Sequence, residues 1–291
     1  MISINTNNGG LFAAKAASQS QATIDSAMQR LSTGSRINNA KDDAAGQAIA
    51  TRLTAEIQGL EIASRNVADG QSLVDTAEGA LQETHTLLLR MREIGVQAAN
   101  GTLSTSDNQA LDAEFQQLVK EIDRIAQNTT WAGAALLNGN GGTVDTSETF
   151  SFQAGVGNNS GADVFDVTVK NADSTTLDIY VAQTNNGVTS NSVGLLSQSS
   201  AQTAIGLVDT AIATVSSERA NLGAVSNRMA STMANLDQIR VNLTASKGRI
   251  ADADFAAETA NLAKGQILQQ AATAMLAQAN ASKQQVLTLI R

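Results

Sequence analysis

Apolar residues recur every seven positions in two long stretches, one in each half of the chain. The first stretch carries Leu53, Leu60, Val67, Val74, Leu81 and Leu88, and the second carries Leu222, Met229, Leu236, Leu243 and Ile250. A seven-residue repeat keeps apolar side chains on one face of a helix and is typical of coiled-coil seams. The pattern therefore predicts two long helices that bury these faces against each other. Residues 111–125 are expected to form a third helix beside them, starting at a capping box of Ser106 and Gln109.

The two ends of the chain carry narrower apolar stripes that are rich in alanine. The residues expected to mediate self-assembly there are Leu11, Ile24, Met28, Leu31, Leu268, Met275, Ala279, Val286 and Leu289. Gly34 is expected to cap the first terminal helix, and Asp42 or Asp43 to start the next one. Because such thin stripes bury little area in one molecule, we expect the terminal segments to be loose in the monomer and to fold against copies of themselves. Head-to-tail contacts of this kind build an open helical fibre.

The middle of the chain changes to turn-forming and strand-forming residues. Residues 138–142 are typical of a turn, and β-rich runs follow at 149–153, 164–170 and 177–182. They predict β-hairpins at about 140–183. The sequence as a whole predicts a mainly α fold, a long antiparallel coiled-coil helical bundle with a small β-hairpin insert.

The composition narrows the function. Of 291 residues, 42% are apolar but only 3% are aromatic, the formal net charge is −8, and proline and cysteine are absent. No apolar run is long enough to insert into a membrane, and an acidic chain with few aromatic residues is a poor binder of nucleic acid. The N-terminus also lacks the basic and apolar regions of a signal peptide.

The residues for common catalytic chemistry are scarce. His85 is the only histidine, which excludes a zinc helix with two histidines and a Cys/His metal cluster. Its position in a long helix near the seam favours a structural role. We therefore expect no enzymatic activity, no cofactor and no metal.

Segments in both halves of the chain resemble bacterial flagellin. In the N-terminal half they are residues 31–53 (LSTGSRINNAKDDAAGQAIATRL), 63–70 (ASRNVADG) and 89–100 (LRMREIGVQAAN). In the C-terminal half they are residues 222–228 (LGAVSNR), 250–255 (IADADF) and 266–281 (QILQQAATAMLAQANA). Both halves stand in the order that the family has.

The resemblance implies a structural subunit that polymerises into the extracellular flagellar filament, the propeller of swimming motility. It implies an inner coiled-coil layer from residues 1–43 and 250–291, an outer layer from residues 44–249, and no large outer domain. It also implies type III export without a cleaved signal peptide, a cytoplasmic export chaperone on the C-terminal helix, and contacts with flagellar cap and hook-associated proteins. No nucleic-acid partner and no membrane insertion are expected.

Two alternatives stay open at this point. One is a hook–filament junction protein, which shares the terminal helices, and the other is a surface protein for adhesion or host signalling. Arg90, Glu93, Ile94 and Glu114 match positions through which a flagellin-sensing Toll-like receptor of animals recognises many flagellins. Charged residues on an outer helix more often form a solvated face or contacts between subunits, so protofilament packing is the expected main use of this surface.

Overall fold

The computed structural model describes residues 6–138, 147–157, 159, 161, 163–179 and 193–289, with side chains up to residue 282. The helices of this part are α1 (Asn8–Thr33), α2 (Ala44–Ala98), α3 (Thr105–Asn128), α4 (Gln198–Ala251) and α5 (Phe255–Leu289). The strands are β1 (Thr130–Trp131), β2 (Ala134–Ala135), β3 (Glu148–Gln153) and β4 (Val164–Val169). The predicted mainly α fold with a small β-hairpin insert is confirmed.

Two compact units share the two longest helices. The terminal unit comprises Met1–Gln58 with Arg240–Arg291, and the central unit comprises Gly59–Ile239. The boundaries of these units lie inside α2 and α4: the one in α2 comes after the expected boundary at 43/44, and the one in α4 comes before the expected boundary at 249/250. The division into an inner and an outer layer stays a prediction.

In the central unit, α2 and α4 run antiparallel. The Glu78 carboxylate of α2 meets the Arg219 guanidinium of α4 at 2.7 Å, and Arg92 meets Asp209 at 2.6 Å. As the residue number rises along α2 it falls along α4, so the two predicted seams do pair. Their buried members in this unit are Leu60, Val67, Val74, Leu81, Leu88, Leu222, Met229 and Leu236.

Helix α3 adds a third apolar face to the central unit. It buries Phe115, Val119, Ile122 and Ala126. Its N-cap is Ser104, whose hydroxyl oxygen accepts a hydrogen bond from the Asp107 N–H at 3.2 Å, while the Asp107 carboxylate accepts one from the Ser104 N–H at 3.0 Å. The capping box predicted at Ser106 and Gln109 is therefore wrong by two residues, because the Asp107 carboxylate fills the role expected of the Gln109 amide.

The strands of the central unit form two antiparallel pairs. β3 and β4 pair from Glu148↔Val169 to Gln153↔Val164, which confirms the first two predicted β-rich runs. The third run is wrong in its described part, because residues 177–178 lie in a turn from which Leu177 and nearby Ile179 point into the core. Residues 180–182 lie outside the described residues.

The short β1–β2 hairpin was not expected from the sequence. Its two-residue turn places Ala132 at φ 50° and Gly133 at φ 87°. Positive φ angles at both central positions are typical of a tight type I′ turn, which usually carries Asn-Gly rather than Ala-Gly. Trp131 is partly buried and meets Phe152 edge to face, with ring centroids 6.5 Å apart.

The β3–β4 hairpin rests on a stripe of α2 that offers little side-chain bulk. The Asn66 side-chain amide donates a hydrogen bond to the Gln153 carbonyl oxygen at 3.0 Å. One turn further on, a Cβ on Gly70 would lie 2.9 Å from Met229 Cε and 3.1 Å from the Phe152 ring. Gly70 therefore allows both α4 and the hairpin to approach α2 closely.

In the terminal unit, α1 and α5 pair antiparallel. Ile24 of α1 packs on Gly265 of α5, where an added Cβ would lie 2.8 Å from Ile24 Cγ1. Near the other end of this contact, Arg30 meets Glu258 at 2.8 Å. The expectation that the terminal segments fold only against other copies is therefore corrected, since in one chain they pair with each other.

The connection from α1 to α2 is bonded to the connection from α4 to α5. Gly34 ends α1 in the left-handed region with φ 70°, the C-cap that the sequence predicted. Its carbonyl oxygen accepts a hydrogen bond from the Ala253 N–H at 2.9 Å, and the Arg36 N–H donates to the Ala251 carbonyl oxygen at 2.7 Å. The start of α2 is capped by Asp43, whose carboxylate accepts the Gly46 N–H at 2.8 Å.

The Glu258 carboxylate is nearly buried in this unit, at 7% exposure. It accepts hydrogen bonds from the Asn261 side-chain amide at 2.9 Å and from the Arg30 guanidinium at 2.8 Å. These two contacts, led by Asn261, hold the pKa of Glu258 below its ordinary value of 4.5. A lowered pKa contributes stability above the unfolded-state pKa, and this contribution is lost as the pH falls through the folded-state pKa.

A first prediction concerns two glycines of α2. Gly79 has no atom within 4 Å of an added Cβ, so Gly79→Ala should stabilise the chain by about 1 kcal/mol through helix propensity. Gly70→Ala gains the same propensity but forces Met229 and Phe152 apart, so it should be less stable than Gly79→Ala by roughly 1–3 kcal/mol. Urea unfolding followed by circular dichroism measures both. Equal stabilisation by the two substitutions would contradict the close packing at Gly70.

A second prediction concerns acidification. Glu258→Gln removes the charged partner of Arg30, so wild type should protect α1 and α5 from hydrogen exchange better than the variant at neutral pH. That advantage should shrink as the pH falls from about 4.5 through the lower folded-state pKa, where the wild-type carboxylate becomes protonated. Hydrogen exchange detected by mass spectrometry, corrected for intrinsic rates, measures it, with α3 as the internal control. An advantage that does not change with pH would exclude this role for Glu258.

Candidate self-assembly surface

Helices α1 and α5 of the terminal unit expose large apolar side chains in a single chain. On α1 the exposed fractions are 62% for Leu11, 74% for Phe12 and 56% for Met28; on α5 they are 59% for Phe255, 65% for Ile267, 48% for Leu268 and 56% for Met275. Isolated exposed apolar residues are normal on a soluble protein, but a concentration of them on one pair of helices marks an interaction surface.

A groove with a volume of about 410 Å³ runs between α1 and α5. Residues with small side chains or none, among them Ser20, Gly265 and Ala272, are buried there. Leu268 and Met275 line the same groove and remain about half exposed. The groove exists because small residues leave space between the helices that none of the described side chains fills.

The residues predicted to mediate self-assembly fall into different environments. Leu11, Met28, Leu268 and Met275 are exposed, whereas Leu31 and Ala279 are partly exposed. Ile24 is 6% exposed and packs on Gly265 of the same chain, so in this conformation it is not available to a second copy. The side chains of Val286 and Leu289 lie outside the described residues.

The self-assembly residues predicted from the sequence do not include three exposed apolar residues of the terminal unit, Phe12, Phe255 and Ile267. Each lies beside the predicted stripe and not in it, because Phe12 follows Leu11, Ile267 precedes Leu268, and Phe255 starts α5. The signal that could have identified them is their size, since large apolar residues stand out in segments dominated by alanine and glutamine.

The seam residues that belong to the terminal unit are less uniformly buried than those of the central unit. Leu53 is 8% exposed, but Leu243 and Ile250 are only partly buried. The apolar face of α4 therefore loses its cover as the helix enters the terminal unit.

The residues matched to a host receptor form a small charged cluster on the central unit. The Arg90 guanidinium meets the Glu114 carboxylate at 2.8 Å and the Glu93 carboxylate at 3.0 Å, and these contacts, led by Glu114, raise the pKa of Arg90. Ile94 does not belong to this surface, because it is 1% exposed and lies in the core. The exposed cluster is thus limited to Arg90, Glu93 and Glu114.

The described residues offer little for catalysis. His85 lies partly buried on α2. In the described ranges, no three or more His, Cys, Asp or Glu side chains are grouped so that they could hold a metal ion. Of the helices in the same ranges, none combines the length and the apolarity that a membrane crossing needs.

Comparisons with known proteins agree on one family. Residues 4–141 match the bacterial flagellin N-terminal helical region, and residues 205–290 match the bacterial flagellin C-terminal helical region. The chain is 44% identical over 265 residues to the flagellin of Halalkalibacterium halodurans, with 91% of each chain covered. It is 40% identical over 311 residues to the flagellin of Bacillus subtilis, with 99% of each chain covered.

A solved structure shares the fold. A putative flagellar hook-associated protein from Vibrio parahaemolyticus superposes with a TM-score of 0.57 at 13% identity, covering 72% of this chain and 100% of that one. At this identity the likeness concerns the fold alone. The relatives that match over nearly the whole chain are flagellins, so a hook–filament junction protein and an adhesion protein are not favoured. The chain belongs to the bacterial flagellin family and is a structural subunit of the flagellar filament.

Proposed function

We propose that copies of this chain join through the terminal unit, with the groove between α1 and α5 as one contact surface and the exposed apolar residues around it as others. The observation that carries this proposal is the exposure of Leu268 and Met275, which line the groove at 48% and 56% exposure. Because each of these side chains is already about half buried, covering it with a neighbour stabilises the contact by about 0.8–1.5 kcal/mol, half of the value for a fully exposed side chain.

The positions of the exposed residues favour a filament over a closed dimer. Leu11 and Phe12 are consecutive on α1, and Ile267 and Leu268 are consecutive on α5. Consecutive residues of an α-helix point about 100° apart, so the apolar surface of this helix pair faces more than one direction. A helix that is apolar on several sides is stable in water only when several sides are covered. Neighbours on several sides are what an open helical assembly supplies.

The same reasoning supports the layered arrangement. In this proposal residues 1–43 and 250–291 form the inner coiled-coil layer of the filament, and residues 44–249 form the outer layer. The support is a contrast in burial, because large side chains such as Leu81, Leu88 and Phe115 are fully buried in the central unit, whereas α1 and α5 bury mainly small residues and leave most of their large apolar residues exposed.

The proposal includes the partners and the location that a flagellar filament subunit requires. The subunit reaches the extracellular filament by flagellar type III export, and a cytoplasmic export chaperone covers the C-terminal helix beforehand. Cap and hook-associated proteins then meet the same terminal helices. The exposed apolar residues of α5, such as Ile267 and Leu268, are the reason for including a chaperone in the proposal. If they were left uncovered, they would promote association inside the cell.

A second candidate function uses the charged cluster of Arg90, Glu93 and Glu114. All three side chains are about half exposed or more, so a flagellin-sensing Toll-like receptor could reach them on a free subunit. The Arg90 charge is already met by two carboxylates of its own chain, which favours packing within and between subunits as its main role.

A third prediction tests the groove. Leu268→Glu places a charge where the proposal has a dry contact, so the concentration of free subunit at which filaments form should rise tenfold or more, which corresponds to about 1.4 kcal/mol. Sedimentation of seeded filaments measures this concentration. The matched control is Gln270→Glu, which adds the same charge to an exposed position of α5 that does not line the groove.

The control should assemble at a concentration close to that of wild type. If Leu268→Glu also assembles as wild type does, the groove is not a contact between copies. Circular dichroism of the unassembled variants confirms that neither substitution unfolds the chain.

A fourth prediction concerns the order of the terminal helices before assembly. The α1–α5 contact is built from small residues such as Gly265 and Ala272, so it buries little apolar area for its length. In a dilute monomer, backbone N–H groups of α1 and α5 should exchange at least about a hundredfold faster than those of α3, a difference of about 2.7 kcal/mol in opening free energy. In assembled filaments this difference should disappear. Equal protection of all three helices in the monomer would remove the idea that assembly orders the ends.

A further inference from the structure

Methionine exposure divides sharply between the two units. The chain has six methionines. Met28 on α1 and Met275 on α5 are each 56% exposed, whereas Met91 and Met229 in the central unit are each 0% exposed. Met233 is partly buried. The two most accessible thioethers of the described residues thus belong to the helix pair that the proposed function assigns to assembly.

We propose that Met28 and Met275 are oxidation sites through which a peroxide prevents the free subunit from assembling. This inference rests on the proposed function of the terminal unit. It adds a chemical modification that acts on that surface and on no part of the central core.

The reaction is a two-electron oxygen transfer. The thioether sulfur donates a lone pair to one oxygen of hydrogen peroxide, and the O–O bond breaks. A sulfoxide S–O bond forms. The second oxygen leaves as hydroxide, takes up the proton that the transferred oxygen loses, and becomes water. The sulfur is oxidised by two electrons and the peroxide is reduced by two, so no other reactant is required. Methionine sulfoxide reductases reverse the change.

The consequence follows from where Met275 lies. Its side chain lines the groove together with Leu268 and Ala271. A thioether enters a dry contact at no cost, but a sulfoxide carries a strong hydrogen-bond acceptor that loses water on burial. Met28 presents the same change on α1. Oxidation of the two residues therefore weakens contacts between copies, whereas it leaves the core around Met91 and Met229 intact.

Assembly should also protect the two sites. In the free subunit each thioether is open to solvent, and in a filament that buries the terminal unit each is covered. Oxidation of Met28 and Met275 therefore acts on subunits that are not yet incorporated, and it does not affect assembled filaments.

The first experiment measures the sites themselves. Monomer and filament are treated with hydrogen peroxide for increasing times, and sulfoxide at each methionine is measured by peptide mass spectrometry. In the monomer, Met28 and Met275 should oxidise at least about tenfold faster than Met91 and Met229, in proportion to their accessibility. In filaments, the two terminal sites should slow to the rate of the buried pair. Equal rates at all four residues of the monomer would overturn the inference.

The second experiment measures assembly. Brief peroxide treatment of wild-type monomer should raise the free-subunit concentration at which filaments form by about tenfold. Methionine sulfoxide reductase with a dithiol reductant should restore it. The double variant Met28→Leu/Met275→Leu removes both thioethers while it keeps side-chain volume and apolarity similar, so peroxide should not change the free-subunit concentration that the untreated variant shows. A double variant that is as sensitive as wild type, for example through Met233, would overturn the inference.

The two experiments distinguish a failure of the oxidation inference from a failure of the proposed function. If Leu268→Glu assembles normally, the groove is not a contact and the proposed function fails. If Leu268→Glu blocks assembly but peroxide-treated wild type assembles as before, the proposed function stands and the oxidation inference alone is wrong. Reversal by the reductase in wild type keeps the test decisive even if the double variant assembles poorly without peroxide.

Discussion

The close contact between α1 and α5 is made mainly by small residues, and this constraint shapes the terminal unit. Where Ile24 meets Gly265 there is no room for a Cβ, and Ala13, Ala27 and Ala272 are buried nearby in the same pair of helices. Small residues let helix backbones approach closely, but each buries little apolar area. Apart from Ile24, large apolar residues such as Phe12 and Ile267 consequently remain exposed. The pairing thus holds the ends of one chain together while it leaves their strongest apolar groups for neighbouring copies.

The central unit, in contrast, buries large apolar residues within one chain. Its helices bury large side chains such as Leu81, Leu88 and Phe115, and the Glu78–Arg219 and Arg92–Asp209 ion pairs lie along the α2–α4 pairing. Both side chains of the Arg92–Asp209 pair are half exposed, so this pair adds little stability by itself. The packed core provides the stability, and a chain with such a core needs no second copy to cover it. The difference between the units lies in the size of the buried residues and not in helix length.

This difference explains what the sequence could predict. The seam between α2 and α4 could be predicted because large apolar residues recur every seven positions. The structure buries those that belong to the central unit. At the ends the partner positions are glycine and alanine, which carry no apolar signal, so Ile24 was assigned to contacts between copies although Gly265 accommodates it within the chain. Ile94 was assigned to the surface by family resemblance, but the helix turns it into the core. Local features were also misplaced by short distances, because several adjacent residues at the start of α3 are suitable caps and the Asp107 side chain determined which one is used.

The bonded connections add a reason why the two ends behave as one element. The Gly34 carbonyl oxygen accepts a hydrogen bond from the Ala253 N–H, and the Arg36 N–H donates to the Ala251 carbonyl oxygen, so backbone hydrogen bonds hold the end of α1 beside the start of α5. Residues 34 and 253 are far apart in sequence, and closing a loop of that length between free chain ends is costly in entropy. Once α2 and α4 have paired in the central unit, most of that cost has already been met. The terminal pairing should therefore follow the folding of the central unit, and a change that opens either end should release the other, because α1 and α5 pack against each other.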